Sequence, residues 1–402
     1  MSNQTYNDEN KHVNIDEETE TASKNHKRHR GSRRKIIGMV AGALLIIAVF
    51  VVCFTRVKST YNSYTVKSSV ARNDNSAVHY VALEDGYISF GHDGAAKYSY
   101  KGAKEWEQTY EINNPVIDRC GNYIAVADIG GNLVYVFDKE GYVNTVNTAL
   151  PIIQMNVSGD GYVVASLEDA RATFINMYGP DNEKIYSIKT VIEGDGFPVS
   201  IAVSPSTNLL MVLYSAVKQT EFSNSVVFYN FDEVGQNEVE RVVAGFDGYK
   251  DKVVSKVDFI SGNRAIAYGE NTISIFSVDE YPKLLKEIDV ENPIKKVFYS
   301  DKYVGYTYAA GDGKDGVIIY SEDGKLISEN TIDDDYSDIA FVEDKVMMYG
   351  NNSFAITKLN GKTVFDKTLE EGIVALMPIS GENKYLYVSG NKIQYIELKH
   401  GG

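Results

Sequence analysis

The stretch NPVIDRCGNYIAVADIGGNLVYVFDKEG, residues 114 to 141, holds a proline-bearing opener, two β-runs and the turns that separate them. Tyr123 to Ile129 and Leu133 to Asp138 are rich in Val, Ile, Tyr, Phe and Ala, with no polar/apolar alternation of helical period. Such runs suit strands buried on both faces. Gly130-Gly131-Asn132 between them is a hairpin turn, because Gly and Asn tolerate the positive φ that tight turns demand.

Working outward, the same texture returns in Val226 to Asn230, Thr272 to Val278, Val317 to Tyr320 and Lys392 to Leu398. A β-run closing on a polar turn ends at Gly94, Gly141, Asp181, Gly235, Tyr281, Gly324 and Gly361, in steps of 37 to 54 residues. Unit openers precede many of these turns: Asn114-Pro115, Leu150-Pro151, Phe197-Pro198 and Asn292-Pro293. A repeat of that length built from about four short strands predicts a β-propeller blade, whose small sheet covers its faces with the neighbouring blades. Six units open near residues 113, 150, 197, 248, 292 and 333. Segments 65 to 112 and 372 to 399 must supply the rest: the latter offers three strands, and a fourth from around Tyr64 to Val70 would close the ring and leave the N-terminal segment as its own blade. This count favours eight blades; merging the two ends would give seven. The fold class is therefore all-β.

The N-terminal part differs. Ile36 to Phe54 (IIGMVAGALLIIAVFVVCF) is nineteen residues without a charge, and at 1.5 Å per residue a helix of that length nearly spans a bilayer core of about 30 Å. The charged segment before it is too long, and the apolar run too extended, for a cleaved signal peptide. Val51 and Val52 before Cys53 do not suit a lipidated cysteine. Between Lys24 and Lys35 there are seven Lys/Arg and no acid, whereas Arg56 and Lys58 are the nearby bases on the other flank. The positive-inside rule places residues 1–35 in the cytoplasm, as a disordered tail with a basic juxtamembrane run. The expected organisation is thus tail 1–35, transmembrane helix 36–54, linker and possible closing strand 55–74, and extracytoplasmic propeller 75–399.

Residues 1 to 35 carry eight bases and six acids, a charge of +2, so the remainder carries −17 of the chain's −15. An acidic domain repels phosphate backbones, which argues against nucleic acid as a partner. With these blades in view, the chain resembles a family of bacterial single-pass, propeller-like proteins classed as a domain of unknown function, found mainly in Gram-positive bacteria. The resemblance is carried by Asn114-Pro115-Val116-Ile117 followed by Tyr123 to Asp128, by Leu150-Pro151-Ile152 and by Phe197 to Pro205. Phe228 to Phe231 with Val234 to Asn237 completes it, and it covers about residues 75 to 399. More distantly the blades are similar to quinoprotein-like and WD40-like propellers. The resemblance implies no catalytic residues.

Quinone-dependent propeller enzymes typically carry a tryptophan in nearly every blade; this chain has Trp106 alone, which reads as inter-blade packing. No cofactor is expected. His79 and His92 are the non-terminal histidines of the β-region, and no G-x-S-x-G nucleophile turn occurs. Acidic turns at Asp333-Asp334-Asp335 and at Asp312 to Asp315 lack the EF-hand order, which leaves calcium binding open. Ser215 to Asn224 lengthens one blade and reads as a protruding hairpin. The candidate interaction loops are therefore Lys218, Glu221, Phe222, Asp333, Asp334 and Asp335. Their expected role is non-enzymatic binding of a protein or cell-wall partner outside the membrane. The competing expectations are a ligand sensor that signals through the tail and a glycan-active enzyme with carboxylates or tyrosines in the central channel.

Overall fold

A computed structural model describes residues 60–73, 79–218, 221–249, 252–333 and 336–400; the expected tail and the apolar stretch 36–54 lie outside the described residues. Among the described residues no helix is long and apolar enough to cross a membrane. Tyr61–Lys399 forms one compact unit.

Among the described residues, thirty-two strands make eight four-stranded antiparallel sheets. Blade 1 is β2–β5 (His79–Ala82, Gly86–Phe90, Gly94–Ser99, Lys104–Thr109), and blade 2 is β6–β9 (Pro115–Cys120, Tyr123–Asp128, Leu133–Asp138, Gly141–Asn147). Blade 3 is β10–β13 (Ile152–Val157, Val163–Glu168, Thr173–Tyr178, Lys184–Thr190), and blade 4 is β14–β17 (Phe197–Val203, Leu209–Lys218, Glu221–Asn230, Val242–Phe246). Blade 5 is β18–β21 (Val254–Phe259, Arg264–Gly269, Thr272–Ser277, Leu284–Asp289), and blade 6 is β22–β25 (Ile294–Tyr299, Tyr303–Gly311, Lys314–Ser321, Leu326–Asp333). Blade 7 is β26–β29 (Asp338–Val342, Lys345–Gly350, Ser353–Lys358, Thr363–Thr368). Blade 8 takes β30–β32 (Ile373–Pro378, Lys384–Ser389, Lys392–His400) from the C-terminal end and its outer strand, β1 (Tyr61–Ala71), from the N-terminal end. The count is eight, and the ring closes by the non-covalent join the repeat count required. One element escaped the strand pattern: a single helical turn, α1 (Glu233–Gln236), followed by a 3₁₀ turn, lengthens the link between β16 and β17.

The apolar runs are continuous because each blade is covered on both sides. In β7, Ile124 and Val126 pack with Ile88 and Phe90 of blade 1, while Ala125 and Ala127 pack with Met155 and Val157 of blade 3. Eight such clusters of buried residues occupy the eight junctions between neighbouring blades. Phenylalanines of third strands sit in three of them: Phe137, Phe228, Phe276 and Phe354 are fully buried. Burying each contributes about 1.5–3 kcal/mol. Trp106 stacks on Phe137 across the first junction, with ring planes 4° apart and centroids at 5.7 Å, the packing role its sequence context suggested.

A second, polar belt joins the innermost strands. The Asp118 carboxylate of blade 2 accepts from Val157 N (2.7 Å) and Asn156 Nδ2 (3.2 Å) of blade 3. Gln154 donates to Val199 O at 2.6 Å and accepts from Ile201 N at 3.2 Å, and Ser200 Oγ accepts from Val257 N at 3.2 Å. Tyr299 OH donates to Asp258, and Lys296 Nζ to Ser337 O. Bulges in β10, β14 and β22 immediately precede Gln154, Ser200 and Lys296, and the extra residue re-aims these side chains at the next blade. Burial pushes the Asp258 carboxyl above its usual range, with the Asp118 charge adding to the shift and the Tyr299 hydrogen bond and Lys256 opposing it.

At the join, β1 runs antiparallel to β32. Arg72 N donates to Asn391 O (2.8 Å) at one end, and Lys67 pairs with Glu397 (2.7 Å). Hydrogen bonds from Lys399 and Lys67 hold the Glu397 carboxyl at about 2. Arg72 also donates to Ser389 O at 3.2 Å and lies 5.7 Å over the Tyr80 ring of blade 1, so one residue touches both sides of the last junction.

Two outcomes follow for stability. Deleting Lys392 to Lys399 removes the strand between β31 and β1, and is expected to abolish cooperative unfolding of the whole domain rather than of blade 8 alone. Loss confined to a sub-transition in denaturant would show the blades to be independent. For Asp258 the folded pKa is raised, so the folded state holds this proton more tightly than the unfolded chain. Its contribution to stability is present below the unfolded value of about 3.9 and is lost as pH rises through the folded value. Asp258→Asn should therefore match the parent in acid and equal or exceed it near neutrality, read as thermal midpoints across that range. A variant weakened only at neutral pH would show that the ionised carboxylate stabilises the belt.

Candidate interaction face

In an antiparallel meander, successive connections emerge at opposite ends of the sheet. One face of the ring therefore carries every link from second to third strand together with the blade-to-blade links, and the other face carries the rest. Four of the sequence-predicted residues are described, and all four fall on the first face. Phe222 sits in the β15–β16 hairpin of blade 4, where Lys218 and Glu221 pair at the tip, and Asp333 ends β25 of blade 6. Asp334 and Asp335 lie outside the described residues.

The blade 4 hairpin is tall. β15 and β16 pair over ten rungs, from Leu209 opposite Asn230 to Lys218 opposite Glu221. The inner strand β14 pairs only as far as Phe197 opposite Ser215, and the outer strand β17 stops at Phe246 opposite Val226. The last three rungs thus stand above a blade that is four strands wide at its base and two at its rim. The base is riveted by Asn224, 1% exposed: its Nδ2 donates to Ser215 Oγ (2.5 Å), and its Oδ1 accepts from Val254 N (3.1 Å) of blade 5. Gly196 has φ +88° and passes so close that a Cβ there would meet Ser215 O at 2.8 Å, which is why the preceding link can lie against the hairpin.

Leu213, Val226 and Phe228 face blade 5 in a buried cluster, and the period of two places Val217 and Phe222 on that same face two storeys higher, beyond the Ser215–Asn224 rung. There the cover ends, because blade 5's own second hairpin turns after Tyr268 opposite Ile273. Val217 is 72% exposed and Phe222 48%, and Val253 in the adjoining link is 53% exposed. Val191 and Ile192, in the link before blade 4, are exposed too.

Blade 6 raises a second hairpin on the far side of blade 5, with Ala309 opposite Asp315 and Gly311 opposite Lys314. Its buried acid is engaged internally. Lys295 Nζ donates to both oxygens of the buried Asp315 at 2.7 Å, and Lys314 lies 3.9 Å from Asp333. Among the described residues no group of three or more His, Cys, Asp or Glu is placed to hold a metal ion. In the channel, Asp118 and Asp258 are taken up by the belt between blades. Burial, then the carboxylates of Asp118, Asp160 and Asp258, push the Cys120 thiol up, away from a reactive thiolate. His92 Nδ1 lies 2.9 Å from Ile112 O and serves a loop.

Sequence reasoning found the hairpin and Phe222. It missed Val217 and Val253, which look like core in a run of apolar residues, and Asn224, whose partner lies thirty residues away. The height of blade 4 relative to blade 5 is the signal, and it requires strand register.

Solved structures share the architecture. BamB from Moraxella catarrhalis superposes with a TM-score of 0.53 at 12% identity over 83% of this chain and 100% of that one. Apo AztD from Citrobacter koseri gives 0.50 at 12% identity over 73% and 86%. A eukaryotic initiation factor gives 0.50 at 14% identity over 84% and 89%. At these identities the likeness establishes the propeller alone. A comparison with curated protein sequences finds no match. The family model matches residues 57–398, from just before the closing strand almost to the end of β32, and the chain therefore belongs to the family of unknown function DUF5711.

Proposed function

We propose that this protein is a membrane-anchored, extracytoplasmic propeller that binds a protein or wall partner through its hairpin face and catalyses no reaction. The observation that carries the reading is the blade 4 hairpin, which lifts Val217 and Phe222 clear of the ring while the scaffold beneath it is locked by Asn224. Apolar side chains held out in water on a rigid base are a binding feature rather than a folding one. The apolar stretch 36–54 and the seven bases ahead of it support the anchor and its orientation. The first residue of β1, Tyr61, lies at the ring face opposite the hairpins.

Protease added to intact cells should digest the propeller and leave the N-terminal tail protected; protection of the propeller with loss of the tail would reverse the orientation. Replacing Ala216 to Ser223 with a two-residue turn, with Ser215 and Asn224 kept, should abolish capture of a stoichiometric partner from detergent-solubilised membranes. The melting temperature should be nearly unchanged, because the removed rungs bury little. Undiminished capture would move the site elsewhere, and a collapse in melting temperature would make the hairpin structural.

A further inference from the structure

The mode of binding at this hairpin follows from its open edge. Glu221 to Ser225 of β16 pair with β15 on one side, and no described strand pairs with them on the other, because β17 ends at Phe246 opposite Val226. Their outward-facing backbone groups form a row of donors and acceptors in line with β17, directly above its last rung. We propose that an extended segment of a partner protein, alternating apolar and basic residues, adds to this edge as a third strand of the raised hairpin. The proposal rests on the hairpin face being the binding surface and states how that surface works.

Three features specify the occupant. An exposed strand edge offers evenly spaced main-chain hydrogen bonds, which an extended chain satisfies and a helix does not. Strand period two places every second side chain of the added segment on the blade 5 side, next to Phe222 and above the rim where Val253 is exposed. Those positions take apolar side chains. The remaining side chains take the blade 3 side, where the link before blade 4 exposes Glu193 and Asp195, in a sequence that carries −17 outside the N-terminal 35 residues; these charges select Lys or Arg. The net charge also disfavours a second copy of the chain as the occupant, since two domains of that charge repel one another.

The test uses the full chain in zwitterionic nanodiscs and the fluorescent octapeptide Lys-Val-Lys-Ile-Lys-Val-Lys-Ile. Controls are the same peptide with alternate amides N-methylated in either register and the version with Glu in place of Lys. Binding should slow amide exchange at residues 221 to 225. Affinity should fall by about tenfold or more on N-methylation in one register, on Phe222→Ser and on the Lys-to-Glu exchange. Equal binding of both N-methylated peptides, or unchanged exchange at residues 221 to 225, would overturn strand addition. It would leave the hairpin face itself to stand or fall by partner capture with the shortened hairpin. Sedimentation showing a dimer that Phe222→Ser dissolves would assign the edge to a second copy and overturn the proposal as well.

Discussion

Every blade of this ring is a four-stranded sheet with two apolar faces, and neither face can be covered except by another blade. That constraint closes the ring. Ile124 and Val126 of β7 need blade 1, and Ala125 and Ala127 need blade 3, so the demand for cover passes from blade to blade until it returns to its start. It is met where Tyr80 and Tyr87 of blade 1 pack with Leu386 and Val388 of blade 8. The chain's two ends share blade 8 for the same reason: with β1 as its outer strand, the join is held by ladder hydrogen bonds, the Lys67–Glu397 pair and Arg72. A ring built this way has no exposed sheet face, and its edges lie only at the rim.

The inner belt solves a different problem. Innermost strands converge on the axis, where apolar side chains large enough to fill the space would clash and small ones would leave gaps. Polar side chains bridge instead: Asp118, Gln154, Ser200 and the Tyr299–Asp258 pair each tie one blade to the next. The Asp118 and Asp258 carboxylates are thereby engaged by backbone and side-chain amides and by a tyrosine, and they fasten one blade to the next.

The connections between strands differ most from blade to blade. Blades 4 and 6 rise above blade 5, and they use their height differently. Blade 6 pairs Lys295 with the buried Asp315, and its exposed Lys314 lies 3.9 Å from Asp333. Blade 4 spends polar contacts only at its base and leaves Val217 and Phe222 uncovered above it. The two hairpins also differ in cover: β25 pairs with the blade 6 hairpin as far as Lys314, whereas β17 leaves the blade 4 hairpin at Val226.

Much of this was legible in the residues. The recurrence of turns at Gly94, Gly141, Asp181, Gly235, Tyr281, Gly324 and Gly361 determined the propeller, because a four-strand unit of that length has few other ways to cover itself. Three strands at the C-terminal end and one near Tyr64 determined the join, and the protruding hairpin at Ser215 to Asn224 could be read from its excess length. What only the tertiary structure decided was which apolar residues lack cover. Val217 and Leu213 look alike in sequence, yet Leu213 meets blade 5 and Val217 passes above it. The fates of Asp118, Asp258 and Asn224 were hidden for the same reason. Local pattern sets which face a side chain takes, but its neighbour comes from another blade some thirty to forty residues away, and only closure of the ring brings the two together.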